Sequence, residues 1–144
     1  MENEAPKAVP ATGAEFWAGS GLEAQLESVL REHGRDRDPF WRCAASDLLA
    51  QLSRVVRLSR GRGPSIADVC WLAATGDDLL GDWLQEAQAR EAAGRGDVAH
   101  LAMAESWKGR WDRVDTRVKS SIRRTLFLAA LKIVDGSWSH TRES

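Results

Sequence analysis

The feature that most narrows what this chain can fold into is an apolar series between residues 41 and 56. Trp41, Ala44, Ala45, Leu48, Leu49, Leu52, Val55 and Val56 recur at three- and four-residue intervals. A helix of 3.6 residues per turn gathers such positions onto one side, whereas a strand would need alternation. Asp38-Pro39 marks the start. The aspartate can accept hydrogen bonds from first-turn amides, and proline at the first helical position gives up only a donor that had no partner. Gly61-Arg62-Gly63-Pro64 marks the end. A helix of this length carrying one continuous stripe needs a core to lie on. Phe40-Trp41, directly behind the proline, reads as the anchor that seats it there.

The remaining punctuation divides the chain into further helices. Ser20-Gly21-Leu22-Glu23 has the form of a capping box and opens a helix to about Glu32, with Leu22, Leu26, Val29 and Leu30 on one face. His33-Gly34 ends it. Ser65-Ile66-Ala67-Asp68 caps a short helix carrying Ile66, Val69, Cys70, Leu72 and Ala73. Thr75-Gly76-Asp77-Asp78 separates that helix from one with Leu79, Leu80, Trp83, Leu84 and Ala87 on its apolar side. After Gly94-Arg95-Gly96-Asp97 comes a helix with Val98, Leu101, Ala102 and Trp107. The last runs from Asp112 or Asp115 to Val134, with the stripe Val118, Ile122, Thr125, Leu126, Ala129 and Ile133. No segment alternates with period two, and neither a repeat nor a sustained heptad is present. The expected fold class is all-α, a compact bundle of five to six helices. Residues 15–139 read as a single domain, residues 1–14 as a disordered Pro/Ala/Glu-rich start, and residues 140–144 as a tail.

Several chemistries lack their residues. The longest uninterrupted apolar run, Leu126–Leu131, is far short of the ~20 residues of a membrane span. The start MENEAPKAVPATG has no apolar signal region, so a cytoplasmic location without direct membrane contact is expected. Gly61-Arg62-Gly63 and Gly94-Arg95-Gly96 lie between helices and lack the phosphate-loop pattern. His33, His100 and His140 are scattered, without a second ligand at helical spacing. Asp77, Asp78 and Asp82 read as capping and solvated carboxylates. Cys43 and Cys70 read as buried, reduced thiols on apolar faces. No cofactor, metal or catalytic residue is therefore expected, and the chain does not read as an enzyme on its own.

Charge is the stronger lead. Residues 1–100 hold 11 Lys/Arg against 16 Asp/Glu, and residues 101–144 hold 9 against 5. The candidate binding residues form two groups. Arg54, Arg57 and Arg60 ride away from the stripe of the long helix, and Arg62 lies in the break that ends it. Arg110, Arg113, Arg117 and Arg124 fall within about 60° of one another on an ideal helix. Either group can face a phosphate backbone or an acidic protein surface, and either can be a solvated polar face. Pairing with carboxylates would favour protein recognition, and one joint basic surface would favour nucleic acid. Among the tryptophans, Trp41, Trp83 and Trp107 fall on core stripes, while Trp17, Trp111 and Trp138 lie outside or at the edges of the clear stripes and are candidates for partner contact.

The order of landmarks resembles the all-α domain of type IV secretion coupling proteins, the ATPases of conjugation systems. Asp38-Pro39-Phe40-Trp41 with Ala44-Ala45 and Leu48-Leu49 is similar to that domain's opening. Pro64-Ser65-Ile66-Ala67-Asp68-Val69 is similar to its next helix start, and Lys119-Ser120-Ser121-Ile122, Thr125-Leu126 and Val134-Asp135 to its last long helix. The resemblance implies a domain inserted in a RecA-like ATPase domain of a membrane-anchored hexamer, at the cytoplasmic face. It further implies recognition of relaxosome components, DNA or protein cargo, with ends that lie near each other. This chain has no phosphate-binding loop, so ATP hydrolysis would belong to the parent protein. The alternative is an independent helical adaptor or regulator that binds a protein partner.

Overall fold

The computed structural model describes residues 21–33 and 38–136. These residues form six α-helices and no strand: α1 (Gly21–His33), α2 (Pro39–Arg60), α3 (Ile66–Thr75), α4 (Asp77–Ala92), α5 (Val98–Trp111) and α6 (Thr116–Val134). The bundle is all-α, as the periodicity requires.

Local chemistry sets the boundaries. Asp38 Oδ1 accepts from the Phe40 amide at 2.9 Å, and Gly61 closes α2 in the left-handed region with φ 75°. Ser65 and Asp68 cap α3 reciprocally: the Ser65 amide donates to Asp68 Oδ2 at 2.9 Å, and the Asp68 amide to Ser65 Oγ at 3.1 Å. Asp97 caps α5 and Asp115 caps α6. At Gly96 a Cβ would come within 2.6 Å of the Glu91 Cα, so the tight return from α4 to α5 admits only glycine.

Helix α2 is the central element, packed against α1, α4, α5 and α6. Helix α6 is the second hub, against α1, α2 and α3. The shared core takes Leu26, Val29 and Leu30 from α1, Leu48, Leu49, Leu52 and Val56 from α2, and Val69, Leu72, Leu80, Trp83, Ile122 and Leu126 from the rest. Burying each such side chain contributes on the order of 1.5–3 kcal/mol, before the entropy of ordering is set against it.

Packing corrects several expectations. Trp41 is half-buried against the core, but Phe40 is half exposed, with its ring at 81° to Trp41 and a centroid distance of 4.9 Å. The anchor is Trp41 alone. Trp111 is not a surface residue: it is 5% exposed and stacks on Trp107 at 5.3 Å. It was misplaced because it closes α5 just beyond the stripe that marks the helix in sequence. Cys43 is exposed and Cys70 half-buried, where burial pushes the Cys70 thiol up. Cys43 lies about 200° around the helix from Trp41, opposite the stripe. Trp17, Trp138, His140, Ser20 of the expected capping box and both chain ends lie outside the described residues.

Candidate recognition surface

The eight candidate arginines separate by what surrounds them. Arg57 does not ride away from the core. It is 7% exposed, and its NH1 and NH2 donate to Glu23 Oε2 and Oε1, each at 2.9 Å. The guanidinium passes beneath Gly63, where a Cβ would sit 2.9 Å from NH2. The reason is topological: α1 covers the side of α2 that the apolar pattern leaves polar, and Ser53 and Ser59 on the same helix are buried too. Arg54 donates from Nε to His100 Nδ1 at 3.3 Å and from NH1 to Gln51 Oε1 at 2.7 Å. Arg60 lies 3.7 Å from Glu86 and over the Trp83 ring at 5.5 Å. Arg62 donates to Asp68 Oδ2 at 2.9 Å and to the Gly63 carbonyl at 2.8 Å. Burial alone would raise the Asp68 pKa, but the Ser65 amide and the Arg62 guanidinium hold it below the ordinary value. This first group therefore spends its donors inside the fold.

The second group does not form one stripe on one helix. The connector 112–115 interrupts it, leaving Arg110 on α5, Arg113 in the connector, and Arg117 and Arg124 on α6. All four are exposed. Arg110 donates to Ser106 Oγ at 2.9 Å. Arg113, Arg117 and Arg124 make no side-chain hydrogen bond or ion pair among the described residues.

Between them lies a cluster that sequence reasoning missed. Asp77, expected to be solvated, is the acceptor for three donors on two helices, α5 and α6. Trp111 Nε1 donates to Oδ1 at 2.8 Å, Lys119 Nζ to Oδ2 at 2.6 Å, and Arg123 NH1 to Oδ1 at 3.0 Å. Burial pushes the Asp77 carboxyl up, yet the Lys119 and Trp111 hydrogen bonds and the Lys119 and Arg123 charges outweigh it and hold the pKa below the ordinary value. Of the four cations between 117 and 124, Lys119 and Arg123 are thus paired with Asp77, which leaves Arg117 and Arg124 as the open charges of this part of α6.

Beside them α3 and α6 border a groove of about 240 Å³, lined by Ala73, Ala74, Ser120, Arg123, Arg124 and Phe127. Trp71, on the exposed side of α3 with Ala74, is 60% exposed. Its signal was present in the sequence, since position 71 lies outside the Ile66–Val69–Leu72 stripe. Among the described residues no three His, Cys, Asp or Glu side chains group in a way that holds a metal ion, and no helix is long and apolar enough to cross a membrane. Comparison of the chain with protein-family models, with characterised proteins and with solved structures finds no match in any of the three.

Proposed function

We propose that the chain is a partner-recognition module, the substrate-recognition domain of a type IV secretion coupling protein that binds relaxosome components or protein cargo. One observation carries the recognition part: cations are sorted into an inward set satisfied by the fold and an outward set, Arg113, Arg117 and Arg124 on α6 and the connector before it, that the fold leaves unpaired. Exposed guanidinium groups beside an apolar groove are the ingredients of a protein-binding site, in which arginine and aromatic anchors dominate the energy. The landmarks of the resemblance supply the rest. They fall at the start of α2, the start of α3 and along α6, so they mark three helices that meet in one core. On this reading the domain works at the cytoplasmic face, ATP hydrolysis is the task of a membrane-anchored hexameric parent, and the module selects what is transferred.

Pairing of Arg57, Arg60 and Arg62 with carboxylates favours protein over DNA as the direct ligand, because a backbone-tracking surface needs its cations free. The test is binding of the purified chain to a purified relaxase, its accessory proteins and duplex DNA, followed by calorimetry across a salt series. A saturable complex with a relaxosome protein, with DNA bound only weakly, is the expected result. Binding of none of them would overturn the coupling-protein reading and favour the independent adaptor.

A further inference from the structure

The outward ridge of α6 changes character along its length. Arg117, Ser120, Arg124, Phe127, Leu131 and Val134 follow one another at alternating three- and four-residue steps, which places them on one side of the helix. The first half is cationic and polar. The second is apolar, with Leu131 38% and Val134 58% exposed. The groove against Ala73 and Ala74 of α3 opens at the midpoint, where Arg124 and Phe127 both line it. Arg113 extends the cationic end into the connector, and Trp71 extends the apolar surface across α3.

We propose that this ridge and groove dock an amphipathic helix from a partner protein, with carboxylates toward Arg113, Arg117 and Arg124 and an apolar anchor in the groove. The inference deepens the recognition-module reading and rests on it. Charge complementarity selects the acidic partner, because these arginines are exposed and unpaired while neighbouring Lys119 and Arg123 are already bonded to Asp77. Shape selects a helix: the ridge from Arg117 to Val134 is about 26 Å long at 1.5 Å per residue, and a helix laid beside it presents side chains with the same three- and four-residue rhythm. A DNA backbone fits less well, since half of the ridge offers it no cation.

The experiment is a selection of displayed random peptides of about 18 residues, enough to span the ridge as a helix, on the immobilised full chain. Affinities of the enriched peptides and of a duplex of about 20 base pairs are then measured by fluorescence anisotropy, with a salt series. Two variants are compared: Arg117→Glu/Arg124→Glu, and Ala74→Phe, which fills the groove at an exposed position without altering charge. Circular dichroism melting confirms that each is folded. Enriched peptides should be acidic with apolar residues at three- and four-residue spacing. The double reversal should weaken them about tenfold or more, and Ala74→Phe about fivefold or more. No enrichment, enrichment of basic or purely polar peptides, indifference to either variant, or tighter binding of the duplex at the same arginines would overturn the proposal. A relaxosome protein that binds both variants as well as the unmodified chain would sink this surface and leave the coupling reading standing. Peptides that behave as expected alongside no relaxosome binding would do the reverse.

Discussion

Arg57 and Arg124 are the same residue on two long helices of one bundle, yet they do opposite things. Arg57 sits on α2, which has neighbours on four sides, and its guanidinium is clamped by Glu23 of α1. Arg124 sits on the outer side of α6, where α3 leaves a groove instead of a cover. A cation pressed into a low-dielectric interior persists only with a well-placed anion, and removal of either partner then leaves an uncompensated buried charge. A cation at the rim is solvated and costs the fold nothing, so it is free for a ligand. Identical chemistry thus becomes structural or available according to what packs over it.

The sharpest way to break this contrast is Arg57→Met, which keeps much of the volume and strands the Glu23 carboxylate. Urea unfolding should show a loss of about 3–5 kcal/mol. A loss below about 1 kcal/mol would place Arg57 with the outward set. Replacing both partners, Arg57→Met with Glu23→Leu, should recover much of that loss, because no orphan charge remains.

Next in size is Asp77→Asn. It keeps the shape but removes the charge facing Lys119 and Arg123, and should cost about 2 kcal/mol by the same measurement. Its pH signature is distinct. The native Asp77 pKa lies below the ordinary value, so its contribution is complete above the unfolded carboxylate pKa, near 4, and is lost as pH falls through the native one. Stability of the unmodified chain should therefore drop on acidification more steeply than that of Asp77→Asn. Parallel curves would remove Asp77 from its role as the bond between α4, α5 and α6.

Arg62→Ala tests the middle of the range. The Arg62 side chain is 48% exposed although Asp68 is buried, so the expected loss is below about 1 kcal/mol. Smallest of all, Arg117→Ala and Arg124→Ala should each shift stability by no more than about 0.5 kcal/mol. A melting-temperature change much larger than that would show that the outward arginines support the fold after all.

Much of the architecture was legible because its causes are local. The Trp41–Val56 stripe, the Asp38-Pro39 start, the Ser65–Asp68 box and the Gly61 and Gly76 breaks each act within a few residues of themselves, and α1 through α6 follow from them with little displacement. Less of the candidate surface was legible. The arginines at 110 to 124 were visible as a group, but the ideal-helix stripe ignored the turn that Asp112 and Asp115 build into it. Arg57 was misassigned because hydrophobic periodicity marks only the most apolar side of a helix and does not count how many neighbours it has. Asp77 was misassigned because its partners lie 34, 42 and 46 residues away.

By itself the sequence determined that this chain forms helices, where each begins and stops, and which side of each is apolar, since propensity, capping and periodicity are short-range properties. Which polar groups would be covered, and so which arginines would be held and which left open, was decided only when the helices met. That choice depends on contacts between residues far apart in the chain, where the identity of a side chain says what it can bond and the packing says whether anything is there to bond it.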